Sequence, residues 1–151
     1  MNLNRRQALA LSAGAAAFVA TGLRSGRVFA DPAAAQAQIM EFTGGKTPEA
    51  GKITLTAPEI AENGNTVPIS VSVDSAMSEG DMVEAVLIVA EENPNPAVAT
   101  FHFTAMSGAA AAATRMRLAK TQTVVAVAKM SDGSVFMDQK EVKVTIGGCG
   151  G

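Results

Sequence analysis

The 151-residue chain has no tryptophan and no tyrosine, and it carries one cysteine and one histidine. Each shortage closes a class of function. A nucleic-acid binder would show a basic stripe interleaved with stacking aromatics, and neither is present. With one Cys and one His there is no Cys-x-x-Cys or His-x-x-x-His spacing, the usual signature of a zinc site. A Ser/His/Asp or Cys/His engine has only His102 as its base, and nothing nearby in sequence would orient that ring. His102 is read instead as a solvated strand residue. Scattered methionines (Met77, Met82, Met106, Met116, Met130, Met137) could supply thioethers to a soft metal such as Cu(I), but without ligand spacing they read as core or interface filler. No Gly-rich phosphate loop precedes a helix, and the paired acids Glu91 with Glu92 and Asp81 with Glu84 read as solvated turns. No metal, cofactor or catalytic residue is expected.

Long apolar runs are also scarce. The stretch Ala8–Leu23 is rich in Ala and falls short of the roughly 20 strongly apolar residues that span a bilayer. It follows the paired arginines Arg5 and Arg6 and ends near Val28-Phe29-Ala30, where small residues at the third and first positions before a cut suit signal peptidase. Twin arginines point to the bacterial route that exports folded proteins. Residues 1–30 are therefore expected to be a removed leader, and the protein to work in the periplasm. Removing Arg5, Arg6, Arg24 and Arg27 leaves eight basic residues against fourteen acidic ones, a net charge of −6. About 120 residues remain, enough for one domain and too few for two.

What the mature chain does have is strands. "KITLTA" puts Ile53 and Leu55 on one face; "VPISVSVD" puts Val67, Ile69, Val71 and Val73 inward and Ser70 and Ser72 outward. Pro68 suits a strand start or an edge. "MVEAVLIVA" is long and β-branched enough for a more buried strand, and "EENPNP" ends it. "VATFHFT" places Phe101 and Phe103 opposite Thr100 and His102. Alanine's helix preference competes within "SGAAAAATRMRLA", but Thr114, Met116 and Leu118 alternate with Arg115 and Arg117, which predicts a strand from about Ala112. "TQTVVAVAKM", a tight "SDGS" turn and "VFMDQKEVKVTI" complete the pattern. The loop "ENGNT" is read as a turn whose Gly64 and asparagines tolerate positive φ. About seven short strands and no helix of any length predict an all-β, immunoglobulin-like antiparallel β-sandwich over residues 52–146, behind a polar extension at 31–51.

The single cysteine, Cys149, lies in "TIGGCGG" between Gly147-Gly148 and Gly150-Gly151. Cysteines in an oxidising compartment usually come in pairs, so an unpaired one calls for a role. Residues 147–151 are read as a flexible arm that could reach roughly 17 Å when extended. No cation or helix end lies near in sequence, so Cys149 is expected near a model thiol pKa of about 8.5. A catalytic cysteine needs activation at home, whereas a carried one can be activated inside each enzyme that it visits. Two other readings stay open: an intermolecular disulfide tether and a copper-binding protein. A ubiquitin-like Gly-Gly thiocarboxylate fails, because activating it requires ATP.

The segments "ITLTAPEIAENGNTVPISVSVDS", "NPNPAVATFHF", "TRMRLAKTQTVVAVAKMSDGS" and the terminal "VTIGGCGG" behind a twin-arginine leader resemble the SoxY family, the sulfur carriers of the Sox thiosulfate-oxidising system. The resemblance covers about residues 52–151. It implies that Cys149 is the carrier cysteine and that the protein is a covalent substrate of other enzymes, not an enzyme itself. It further implies a heterodimer with SoxZ and visits to a c-type haem loading enzyme, a sulfate-releasing hydrolase and a sulfane dehydrogenase.

Overall fold

In a computed structural model of the chain, residues 31–148 are described. The predicted leader, with Arg5 and Arg6, and the residues Cys149, Gly150 and Gly151 lie outside them.

Two sheets face each other across one core. The strands are β1 (Glu49–Ala50), β2 (Ile53–Thr56), β3 (Ile60–Asn63), β4 (Val67–Val73), β5 (Val83–Ala90), β6 (Ala97–His102), β7 (Ala110–Met116), β8 (Gln122–Met130) and β9 (Val135–Ile146). The larger sheet runs β1-β9-β8-β5-β6, with β3 also paired to β9; the smaller runs β2-β4-β7. The β-sandwich expected from the alternating segments is thus present, and most of its pairings are antiparallel. Two are not: β1 and β3 add to β9 in parallel, Glu49 opposite Phe136 and Asn63 opposite Ile146.

The alternation of β4 is realised residue by residue. Val67, Ile69, Val71 and Val73 are buried, while Ser72 is exposed and Ser70 half-buried. Pro68 is the second residue of that strand and lies beyond its pairing with β2, which ends at Thr56 opposite Ser70. The alanine-rich stretch is strand β7, beginning two residues earlier than alternation suggests, with Arg115 and Arg117 exposed as expected. At the "SDGS" hairpin Gly133 takes φ 81° and Asp132 accepts hydrogen bonds from the Ser134 amide and hydroxyl. Met77, Met116 and Met130 fill the core, whereas Met106 is exposed.

The expectation of a domain without helix is corrected. Pro32–Thr43 forms helix α1, so the segment taken as a plain extension supplies a packed layer. Its ends carry ordinary signals: the Asp31 carboxylate accepts from the Ala33 amide at 2.9 Å, Pro32 opens the first turn, and Gly44 closes the helix in the left-handed region at φ 65°. Ala35 and Ile39 pack on Leu87, Val89, Val125 and Val127, the outer face of the large sheet. This cover explains why β5 and β8 are almost continuously apolar. Their other face, with Val86, Ile88, Val124 and Ala126, lines the core between the sheets. Both faces are dry.

Candidate functional site at the end of the last strand

The approach to Cys149 is built by three segments that meet where β9 ends. Strand β3 runs beside β9 and carries its pairing to Asn63 opposite Ile146. One residue on, the Gly64 amide donates to the Ile146 carbonyl at 2.7 Å. The Gly64 carbonyl in turn accepts from the Leu118 amide at 2.8 Å, and the Leu118 carbonyl accepts from the Gly148 amide at 2.8 Å. The two glycines and Leu118 are thereby joined into one hydrogen-bonded chain. Gly64 and Gly148 are both buried, and the Leu118 side chain is fully enclosed in the core. Further back, the Val144 amide donates to the Thr121 hydroxyl and the Lys143 amide to the Glu59 carbonyl.

Glycine is required here by close approach. A Cβ on Gly64 would collide with the Leu118 carbonyl and sit 2.7 Å from the Gly148 nitrogen. A Cβ on Gly148 would lie 2.7 Å from the Gly64 oxygen, and one on Gly147 would fall on the Ala119 carbonyl. Gly64 does not adopt the positive φ for which sequence reading valued it. Of the arm expected over residues 147–151, only Gly147 and Gly148 are described; they lie beside the Ala119 carbonyl and Gly64. Gly150 and Gly151, the rest of that arm, lie outside the described residues.

A buried polar network holds the Leu118 segment. Asn93, 2% exposed, donates from Nδ2 to the Arg117 carbonyl at 2.8 Å, and its Oδ1 accepts from the Ala119 amide at 3.0 Å and from Gln122 Nε2 at 2.8 Å. Gln122, also buried, accepts from the Glu92 amide at 2.9 Å through Oε1. Every polar side-chain atom buried among the described residues has a partner. Sequence reading saw "EENPNP" only as a strand breaker. An Asn just before a proline looks like any other turn residue, and the signal that singles out Asn93 is tertiary.

The remaining candidates stay apart from this end. His102 is exposed on β6, opposite Ala85, while Phe101 and Phe103 turn toward the core. No group of three His, Cys, Asp or Glu residues that could hold a metal ion occurs among the described residues. Two carboxylates are held below their ordinary range: Asp81 by the Ala76 amide and then Lys52, and Asp132 by the Ser134 hydroxyl and amide. Both anchor turns, Asp132 exposed and Asp81 half-buried, and neither adjoins Gly148. No described helix is long and apolar enough to cross a membrane.

The comparisons with known proteins agree with this architecture. A solved sulfur carrier protein SoxY from Chlorobium limicola f thiosulfatophilum is 32% identical, covers 76% of this chain and 99% of its own, and superposes with a TM-score of 0.60. A superoxide reductase (neelaredoxin) from Ignicoccus hospitalis has a TM-score of 0.56 at 16% identity, covering 80% of this chain and 98% of its own. A putative superoxide reductase from Thermotoga maritima has a TM-score of 0.53 at 15% identity, covering 68% and 89%. At such identities the last two show a shared fold only. No curated protein sequence matches the chain. The family described as sulfur oxidation protein SoxY matches residues 39–149, more than half of the chain and ending on the cysteine itself. On that match and the SoxY superposition together, the chain belongs to the SoxY family, the sulfur carriers of the Sox system.

Proposed function

We propose that this protein is an exported carrier that holds sulfur intermediates of thiosulfate oxidation covalently on the thiol of Cys149. The observation that carries the reading is the family match running to residue 149 in a chain with no other cysteine. Loading joins the thiol to thiosulfate: Cys–SH and S₂O₃²⁻ give Cys–S–S–SO₃⁻, one proton and two electrons. The electrons pass to a c-type haem enzyme. Water then releases sulfate and a proton and leaves a persulfide on Cys149, the step of a separate hydrolase. A molybdenum–haem dehydrogenase oxidises the remaining sulfane sulfur, and a last hydrolysis restores the thiol.

Export through the twin-arginine route follows from Arg5, Arg6 and the apolar run behind them. A small protein without a cofactor gains little from folding before export unless it carries a bound subunit with it, which supports a heterodimer with SoxZ. The outer face of the smaller sheet suits a flat partner. Thr54, Ser72 and Ala111 share one row across its three strands, and Thr56, Ser70 and Ala113 share the next. A shallow groove of about 630 Å³ runs there beside Pro58, Pro68 and Arg115.

Intact-mass measurement of the protein from thiosulfate-grown cells tests the carrier reading. Adducts of sulfane or sulfonate mass on Cys149 are expected. A reducible increment equal to a whole second chain, with no small adducts, would replace the carrier by a disulfide tether.

A further inference from the structure

The geometry points to a binding site for a doubly charged tetrahedral oxyanion, of the sulfate and thiosulfate class, in the groove between the turn after β5 and the end of β7, held by Arg115 and Arg117. The site is separate from the carrier thiol, so it stands or falls independently of the carrier reading.

Arginine is scarce in the folded body: Arg115 and Arg117 are the only two after residue 30. They alternate with Met116 and Leu118, which are buried, so both arginines turn outward and both are exposed. Alternate residues of an extended segment stand on one side of the backbone, about 6.6–6.8 Å apart. Between them and the neighbouring turn lies a groove of about 280 Å³, whose other walls are Asn93, Asn95, Ala97, Val98 and Met116, with no carboxylate among them. The backbone on this side is fixed. Arg115 lies in the ladder opposite Pro68, and the Arg117 carbonyl accepts from Asn93 Nδ2 at 2.8 Å. Among the described residues the ion pairs are Lys52–Asp81, Lys120–Glu92 and Lys129–Glu84, so neither arginine has a carboxylate partner. The same residues that follow position 30 include fourteen acids against eight bases, so two guanidinium groups left together without a carboxylate call for a ligand.

The ligand class follows from the donors. A guanidinium fork gives two parallel N–H bonds to a pair of oxygens. One carboxylate, with two oxygens and a single charge, satisfies one fork. Two forks bordering one groove call for three or four oxygens and two charges, which a sulfate or thiosulfate dianion supplies. Asn95, exposed on the rim, offers an amide donor to the same ligand. Binding is reversible, and no covalent bond forms or breaks. Solvent exposure sets its strength: Kd is expected on the order of 1 mM at low ionic strength, weakening as salt is added. Arg115 also borders the groove beside Pro68, but Asn95 and Arg117 do not, so the oxyanion site lies to the side of that sheet face.

The test titrates the ¹⁵N-labelled full chain with sodium sulfate, at ionic strength held constant with sodium chloride, and follows the backbone amides. Saturable shifts confined to Asn95, Ala97, Val98 and residues 115–117 are expected, and sodium thiosulfate should move the same amides at similar affinity. Arg115→Gln and Arg117→Gln should each weaken sulfate binding about fivefold, the upper end of what an exposed charge contact supplies, and the double variant should abolish saturation. Both side chains are exposed, so these variants should melt with the unmodified protein. Lys140, exposed on β9 opposite Val124 and outside the groove, is the control. Lys140→Gln removes one positive charge and should bind sulfate as before. Three results would each overturn the inference. Shifts that never saturate, or that spread over the whole sandwich, mark ionic strength alone. An equal loss in Lys140→Gln marks net charge. Acetate binding as tightly as sulfate makes the groove a seat for the carboxylates of an acidic partner surface. Mass adducts on Cys149 decide the carrier reading and bear on none of these outcomes.

Discussion

Helix α1 is the element that local patterning does not announce, and Ile39→Ala measures whether it belongs to the fold. Ile39 is 5% exposed and lies with Ala35 over Leu87, Val89, Val125 and Val127. Truncating a buried Ile to Ala costs about 2–5 kcal/mol. The lower half of that range applies here, because α1 is a single short layer that can settle into the gap. The loss is also capped: once it exceeds the docking free energy of the helix, α1 simply detaches and the sandwich remains. For about 120 ordered residues the unfolding entropy is near 250 cal/mol/K, so about 2.5 kcal/mol corresponds to a fall of about 10 °C in Tm. Met40, on the outer side of the same helix and 45% exposed, is the control. Met40→Ala should stay within about 0.5 kcal/mol, or about 2 °C. Both variants are followed by calorimetry, with far-UV circular dichroism to show whether helix signal is lost ahead of the main transition. If Ile39→Ala melts within 2 °C of the unmodified protein, α1 does not cover the sheet and the outer faces of β5 and β8 are not dry.

Asp138 of β9 reaches across to the edge of the smaller sheet, its Oδ2 accepting from the Leu55 amide at 2.8 Å. Asp138→Ala leaves that half-buried amide unpaired and should lower stability in urea by about 1–3 kcal/mol, with Asp138→Asn recovering most of it; equal losses in both variants would show that the charge matters and the hydrogen bond does not. The four glycines around Cys149 should also separate into two pairs. Gly147→Ala drives a Cβ into the Ala119 carbonyl and should cost about 1–3 kcal/mol in a thermal melt, whereas Gly150→Ala should melt unchanged and affect loading alone; identical melting curves for the two would mean that the tail is not packed at Gly147.

Period-two alternation made most of the sandwich legible, because each of β2, β4 and β7 has one wet face and one dry face. Helix α1 was legible only indirectly. Its buried stripe is narrow, Ala35, Ile39 and Thr43 at every fourth position, in a segment otherwise dominated by Ala and Gln. The stronger hint lay elsewhere in the chain: "AVLIVA" and "VVAVA" are apolar on both faces, and an outer face without alternation requires cover. The parallel additions of β1 and β3 to β9 join residues more than 80 positions apart, which no local window can register. Gly64 shows the same limit from another side. Its neighbours in sequence describe a turn, while the contact that forbids a side chain comes from Leu118 and Gly148.

A carrier thiol must be reached by several enzymes yet be idle in all the intervals between them. Length of leash and accessibility of the handle are separate properties, and a glycine run in the sequence suggests both at once. Packing distinguishes them. At Gly147 and Gly148 backbone carbonyls lie where a Cβ would go. Gly150 and Gly151 follow the cysteine and lie outside the described residues.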